Sequence, residues 1–111
     1  MALNKESKNQ YRVTVWDENV TAEDVSDAIF REFYGLHSVH IKIDGTASVT
    51  LQLSNFEEPS EASDDDWVEV DTYTASAMVP VNQVFRWLRL KRDNSTDPVT
   101  IVILSASRAN T

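Results

Sequence analysis

Two histidines and a run of carboxylates are the side chains of this sequence that could bind a metal ion. His37 and His40 carry imidazole nitrogens, which are ligands for zinc and other transition metals. They lie three residues apart in a segment that reads as a strand, where an odd spacing points side chains to opposite faces. We therefore interpret them as two ordinary histidines and expect no metal site between them.

The carboxylates are concentrated between residues 55 and 71, where their oxygen atoms could bind calcium. The candidate ligands are Asp64, Asp65, Asp66, Glu69 and Asp71. The segment lacks the turn glycine and the fixed ligand spacing of the helix–loop–helix calcium sites. Residues 55–66, here named the acidic loop, are typical of a solvated connection. We expect this loop to be mobile, to contribute little to the core and to hold no metal.

A third group of candidates mixes basic and aromatic side chains on one predicted strand. Four of the ten basic residues lie here beside two aromatic residues: Phe85, Arg86, Trp87, Arg89, Lys91 and Arg92. Such a mixture can bind single-stranded nucleic acid. The chain, however, has 18 acidic and 10 basic residues and a net charge of −8, which argues against a nucleic-acid partner.

This strand also carries apolar side chains on both faces. Leu88 and Leu90 share one face, whereas Phe85 and Trp87 share the other, and residues 99–104 are likewise apolar on both faces. A small sandwich covers one face of each sheet, so a loop, a helix or another protein must cover the second face. We predict an interface with a neighbouring subunit, in which arginines pair with acids of the neighbour. The predicted interface residues are Phe85, Arg86, Trp87 and Arg89.

Several classes of protein are excluded by composition. The chain has no cysteine, so it has no disulfide, no thiolate metal site and no cysteine nucleophile. It has two glycines, too few for a phosphate-binding loop, and neither a G-x-S-x-G nor an H-E-x-x-H motif. No apolar run approaches the ~20 residues of a membrane helix. We expect a non-enzymatic protein with no cofactor and no membrane or nucleic-acid partner.

Alternating apolar residues predict the strands that position these side chains. The clearest segments are 11–16, 38–43, 48–53, 67–70, 84–91 and 99–104. Residues 79–81 are predicted as an edge strand, because Pro80 cannot donate a hydrogen bond to a neighbouring strand. Seven or eight short strands with turn signals about every ten residues predict an all-β, antiparallel β-sandwich.

The turn between two of these strands leaves an alternative open. Asp44-Gly45 is a hairpin signal. A two-residue loop would put the apolar faces of the strands on opposite sides, whereas a three-residue loop would pair Ile41 with Val49 and align them. Otherwise the two strands belong to different sheets.

Residues 22–34 are ambiguous between helix and strand. Val25, Ile29 and Phe33 are spaced by four residues, which would place them on one face of a short helix. The competing interpretation is a short strand around 26–30 followed by a turn at Gly35.

The pattern predicts one domain over residues 11–106, with a flexible N-terminal arm at 1–10 and a tail at 107–111. Its core is expected to contain the inward-facing residue of each strand. These residues are Val13, Val15, Val39, Ile41, Val49, Leu51, Leu53, Trp67, Leu88, Leu90, Ile101 and Ile103.

The order of these segments resembles a known class of protein. It runs Ser26-Asp27-Ala28-Ile29, Tyr34-Gly35, Ser48–Ser54, Trp67–Val70, Phe85–Leu90 and Pro98–Leu104. This order is similar to the small jelly-roll-like β-sandwich proteins of tailed bacteriophages, of the head and neck-region accessory or capsid decoration type. It also resembles discoidin-type and other jelly-roll binding modules. The resemblance implies a jelly-roll-like sandwich and a strand, not a helix, at 26–30.

The resemblance further implies a virion structural protein that is assembled in the host cytoplasm. We expect a capsid decoration or cement protein that binds the major capsid protein or other virion proteins as a homo-oligomer, with three subunits favoured. Two alternatives stay open. One is a carbohydrate- or receptor-binding module of a tail or fibre, in which the acidic loop binds sugar, with or without calcium. The other is a head–tail connector that assembles as a closed ring.

Overall fold

The structure, a computed structural model, describes residues 10–16, 24–31 and 35–106. Its strands are β1 (Gln10–Trp16), β2 (Asp24–Val25), β3 (Ile29–Phe30), β4 (Leu36–Ile43), β5 (Val49–Ser54), β6 (Val68–Tyr73), β7 (Ala77–Val81), β8 (Trp87–Arg92) and β9 (Val99–Ala106). The described ranges contain no helix, so the helical alternative for 22–34 is wrong over residues 24–31. The predicted arm at 1–9 and tail at 107–111 lie outside the described residues.

The strands form two antiparallel sheets that face each other. Sheet I has the order β1-β9-β4-β7, and sheet II has the order β2-β8-β5-β6, with β3 also paired to β8. Val25 pairs with Lys91 and Ile29 pairs with Leu88, so β2 and β3 are two pieces of one interrupted strand. If β2 and β3 are counted as one strand, the eight strands are divided between the two sheets in the order of a jelly roll. The all-β antiparallel sandwich predicted from the sequence is therefore confirmed.

The turn at residues 44–46 carries the chain from one sheet to the other. β4 pairs with β7 and β9 in sheet I, whereas β5 pairs with β6 and β8 in sheet II. The two strands thus belong to different sheets, and the hairpin interpretation is wrong. Gly45 has a φ of +124°, and a Cβ at this position would collide with the carboxyl group of Asp97. That carboxylate accepts a hydrogen bond from the backbone N–H of Thr46 at 2.6 Å, so glycine is required for the crossover.

The hydrophobic core fills the space between the sheets. Its fully buried members include nine of the residues expected there: Val39, Ile41, Val49, Leu51, Leu53, Leu88, Leu90, Ile101 and Ile103. Four further members were not expected: Ala47, Val81, Phe85 and Val99. Trp67 is also buried, as predicted, although it lies outside this cluster. The side chains of Val13 and Val15 lie outside the described residues.

Three edge strands of the two sheets are β7, β6 and β1. β7 is an edge strand of sheet I, which confirms the prediction made from Pro80. β6 is an edge strand of sheet II. β1 is the other edge of sheet I and pairs with β9, so that Gln10 lies opposite Ala106.

Candidate functional site

Two of the four predicted interface residues are buried within the chain. Phe85 is 2% exposed and packs in the core, because it precedes β8 and does not follow the alternation of that strand. Arg89 does point away from the core, yet it is 1% exposed. Neither side chain is available to a partner, so their placement on an exposed surface is corrected. Arg86 and Trp87 are partly exposed, and their place in an interface stays a prediction.

Arg89 is buried because the acidic loop folds over the outer face of sheet II. Its strand neighbour there is Gln52, whose Oε1 accepts a hydrogen bond from Arg89 Nε at 2.7 Å. The two terminal nitrogens donate to the loop: Nη1 to the carbonyl oxygen of Glu61 at 3.2 Å, and Nη2 to that of Ser63 at 3.1 Å. The guanidinium carbon lies 4.3 Å from the ring centroid of Trp67. One arginine therefore fastens the loop to the sheet.

Asp64 completes this arrangement, which we name the Arg89 cluster (Arg89, Gln52, Asp64, Lys91 and Trp67). Asp64 Oδ1 lies 2.7 Å from Arg89 Nη2, and Oδ2 lies 2.8 Å from Lys91 Nζ. The hydrogen bond from Lys91 is the main cause that holds the pKa of Asp64 below its ordinary value of 3.8. Partial desolvation opposes this lowering of the pKa, while Gln52 and the charges of Lys91 and Arg89 add to it.

The rest of the acidic loop is held by further hydrogen bonds. Trp67 Nε1 donates to the carbonyl oxygen of Ser60 at 2.7 Å, and the backbone N–H of Ser60 donates to Asp66 Oδ2 at 2.8 Å. Trp87 Nε1 donates to the carbonyl oxygen of Glu57 at 3.3 Å. The loop is therefore attached to the sheet, and, as predicted, none of residues 55–66 is buried in the core. The carboxylates of Glu61, Asp64 and Asp66 accept hydrogen bonds, and in the described part of the chain no three His, Cys, Asp or Glu side chains gather as a metal site requires.

The two histidines point in opposite directions, as their spacing predicted. His40 is exposed, whereas His37 is buried beside Phe85, with ring centroids 4.5 Å apart. His37 Nδ1 lies 3.0 Å from Ser105 Oγ, which also accepts a hydrogen bond from Arg31 Nε at 3.1 Å. Ser105 is fully buried, so this serine–histidine pair links β4 to β9 and presents no surface to a substrate.

Three surfaces of the described residues are candidates for contact with a partner. The first is the outer face of sheet I, where Leu36, Met78 and Leu104 are exposed; we name it the outer patch. Ser38 pairs with Leu104 on β9, and its Oγ lies 3.1 Å from the sulfur of Met78 on β7. The patch therefore crosses three neighbouring strands, and it accounts for the apolar residues on the second face of β9.

The second surface, here named the side groove, lies beside Trp87. Its volume is about 270 Å³, and it is lined by Ala28, Glu58, Pro59, Glu61 and Trp87. Phe30 packs edge-on against Trp87, with ring centroids 5.0 Å apart. An aromatic face thus lies next to two carboxylates.

The third surface, here named the end groove, lies where the acidic loop and the β7–β8 connection meet. Its volume is about 380 Å³, and it is lined by Leu53, Ser54, Asn55, Phe56, Asp66, Val68, Gln83, Val84 and Phe85. The backbone N–H of Arg86 donates to Asn55 Oδ1 at 3.0 Å and is also 3.2 Å from the carbonyl oxygen of Ser54. These bonds fix the β7–β8 connection against the start of the acidic loop and so form the wall of the groove.

Sequence reasoning missed the Arg89 cluster, although a signal for it exists. Arg89 and Gln52 are polar residues at the centre of two apolar strands, and an acidic segment lies between those strands in the chain. A buried arginine needs several acceptors, and the acidic loop is the segment of the described chain that provides them.

Among the described residues, none forms a helix with the length and hydropathy of a membrane span.

The fold is an eight-stranded jelly roll, an architecture that also occurs in viral capsid and lectin domains. The chain matches no protein-family model, and no curated protein matches it. Among solved structures it is similar to the SPBc2 prophage-derived protein YomS, with a TM-score of 0.65 and 9% identity over 94% of this chain and 100% of that one. PirA aligns with a TM-score of 0.42 and 11% identity over 95% of this chain and 99% of that one. The likeness to the prophage-derived protein is one of fold.

Proposed function

We propose that this chain is a non-enzymatic bacteriophage virion structural protein, a capsid decoration protein that binds the capsid surface as a homo-oligomer. The outer patch is the observation that carries the proposal. Its members Leu36, Met78 and Leu104 are between 42% and 63% exposed, and contiguous apolar surface of this kind marks sites of protein–protein contact. The fold shared with a prophage-derived protein supports the same conclusion.

Adhesion is the proposed mechanism. Each copy would bury its outer patch against a second copy, and the oligomer would contact several capsid subunits at once. Modest contacts then sum to a firm attachment through the high effective concentration of linked sites. Because each chain carries a net charge of −8, the copies repel each other, so added salt should strengthen self-association.

The first experiment measures the mass in solution by light scattering. The wild type should form an oligomer, with a trimer favoured, and Leu104→Ser should shift it toward the monomer without changing the far-UV circular dichroism. Val25→Ser is the matched control, because Val25 is also 42% exposed but lies on β2 of sheet II. A wild type that stays monomeric at high concentration and does not sediment with capsids would overturn the proposal.

The partly exposed Arg86 and Trp87 provide a second test of assembly. We expect Trp87→Ala to weaken assembly more than it destabilises the subunit, if this surface contacts the neighbour. An unchanged oligomer mass and unchanged capsid binding would remove both residues from the interface.

The side groove favours a second candidate function, a carbohydrate- or receptor-binding module of a tail or fibre. Its aromatic ring and two carboxylates offer a stacking face and hydrogen-bond acceptors. Glycan-array binding that is lost in Trp87→Ala, measured with and without a chelator, would support this function over capsid decoration. A closed ring seen by electron microscopy would instead support the head–tail connector.

A further inference from the structure

The end groove gathers the most exposed apolar side chains of the described chain. Val84 is 76% exposed, Val68 68% and Phe56 60%, and only Met78, on the other sheet, falls in the same range among the described residues. Isolated apolar residues on a surface need no explanation, but three around one concavity form a contiguous patch. The groove therefore has the composition of a contact site.

The floor of the groove is rigid. Leu53 and Phe85 are buried residues of the core cluster and form its base. Val68 pairs with Leu53 across β5 and β6, so the rim is attached to the floor by the sheet itself. A volume of about 380 Å³ lies near the lower end of the range for ligand sites, which is roughly 300–1,000 Å³. This size suits one or two side chains of a peptide.

The charge around the groove is negative, because the carboxylates in and beside it outnumber Arg86, the cation that adjoins Phe85. Asp66 is the charged residue of the lining, and it accepts one hydrogen bond, from the N–H of Ser60. Glu57, Asp65 and Glu69 adjoin groove residues in the sequence, and no described cation forms an ion pair with them or with Asp66. Arg89 and Lys91, whose side chains bind the acidic loop, both pair with Asp64.

The adjacent sheet edge is poorly suited to binding an added strand. The pairing of β5 with β6 is interrupted by a bulge at Leu51/Gln52, and Asp71 lies opposite Leu51 on the side that faces the other sheet. Bulges and inward-facing charges obstruct strand addition at an edge. A partner that approaches this end of the molecule would therefore use the groove.

From the apolar walls and the carboxylates that form no ion pair with a described cation, we infer that the end groove binds an extended segment of a partner protein in which apolar and basic residues alternate. An apolar side chain would fill the space between Phe56, Val68 and Val84, and the long side chain of a flanking lysine or arginine would reach back over the rim to pair with Asp66. Only the source of that partner, a virion protein, rests on the proposed function.

The test uses the full chain and three synthetic peptides of eight residues. The peptides alternate leucine with lysine, leucine with glutamate, and serine with lysine. In a two-dimensional amide NMR titration, the leucine–lysine peptide should bind and shift the signals of Phe56, Val68 and Val84, with little change at Met78 and Leu104. Binding should weaken as salt is added, because part of it is electrostatic.

Variants separate the groove from the rest of the surface. Val84→Ser should weaken binding of the leucine–lysine peptide roughly tenfold, which corresponds to about 1.4 kcal/mol. Asp66→Asn keeps an acceptor for Ser60, so it should leave the fold intact while it weakens binding and flattens the salt dependence. Met78→Ser is the matched control, since Met78 is similarly exposed (63%) on the other sheet, and it should leave binding unchanged.

Three results would overturn the inference: no binding of the leucine–lysine peptide, equal binding of the leucine–glutamate peptide, or an equal loss in Met78→Ser. Capsid co-sedimentation is scored separately. If the peptide binds in the groove and capsids do not sediment the protein, the proposed function fails while the inference holds. If capsids sediment the protein and the peptide does not bind, the inference fails while the proposed function holds.

Discussion

Replacing Arg89 by alanine removes the side chain that joins the acidic loop to sheet II. The guanidinium donates to Gln52, to Asp64 and to two backbone carbonyl oxygens of the loop, and it lies over the ring of Trp67. The variant leaves these acceptors without their donor and leaves a cavity beneath the loop. We expect the loop to detach from the sheet before the sandwich unfolds.

The expected loss in the free energy of unfolding depends on how exposed the side chains of Arg89 and Asp64 are. Removal of one partner from a buried ion pair destabilises a protein by about 3–5 kcal/mol, because the other charge stays buried. Here the side chain of Asp64 is 55% exposed, whereas that of Arg89 is 2% exposed, so water can solvate the carboxylate once the arginine is gone. We therefore expect Arg89→Ala to lower the free energy of unfolding by about 2–4 kcal/mol. Arg89→Lys should recover only part of this, because an ammonium group cannot reproduce the planar set of donors.

The assay is urea unfolding followed by circular dichroism, combined with hydrogen exchange of the amides of residues 60–67. The control is Lys42→Ala on β4, because Lys42 is exposed and its side chain forms no hydrogen bond or ion pair with the described residues. Arg89→Ala should shift the urea midpoint and release the amide protection of the loop, and Lys42→Ala should do neither.

Two results would refute this reasoning. One is a loss below about 0.5 kcal/mol, the range of ordinary surface substitutions, with the loop amides still protected. The other is a large loss of stability in which loop protection and global stability fall together, because the arginine would then stabilise the sandwich and not the loop in particular.

Three other changes test the fold and its electrostatics. Leu51→Ala should lower the free energy of unfolding in urea by about 2–5 kcal/mol, since Leu51 is buried in the core. Thr50→Ala, on the opposite face of the strand, should lower it far less, and equal losses would contradict the observed faces. Gly45→Ala should cost about 1–3 kcal/mol because of its positive φ and the aspartate that a Cβ would meet, and an unchanged thermal midpoint would contradict that strain. The pKa of Asp64 is lowered in the folded state, so its stabilising effect is full above the unfolded pKa and is lost as pH falls through the folded one; unfolding measured from pH 7 to pH 2 should show this loss in the wild type and a smaller one in Asp64→Asn.

Much of the sandwich was predictable because strand alternation is a local property. Val39, Ile41, Leu51 and Leu90 alternate with polar neighbours, and each faces the core as expected. Phe85 was misplaced because it lies just before β8, where the two-residue period does not yet hold. Periodicity identifies the face of a residue only inside a strand.

The candidate surfaces were less predictable, because they depend on which segments meet in space. Nothing local shows that the acidic loop returns to cover Arg89, since the contact joins residues more than 20 positions apart. The apolar residues on both faces of β8 and β9 were a valid signal of a second covering layer. On β8 that layer is the chain itself, whereas on β9 Leu104 remains exposed.

The pairing of β1 with β9 places Gln10 directly opposite Ala106, and residues opposed in an antiparallel pair lie about 4.5–5.5 Å apart. The chain could therefore be circularly permuted: a short linker would join these positions, and new ends would be opened at the exposed turn of residues 44–46. Proteins tolerate circular permutation when their original ends lie close together and the new ends are opened in an exposed loop. In the permuted order β9 and β1 become consecutive, so the pairing that now joins the most distant strands would become a local hairpin. Because folding slows as contacts become more distant in sequence, we expect the permuted protein to refold faster than the natural order.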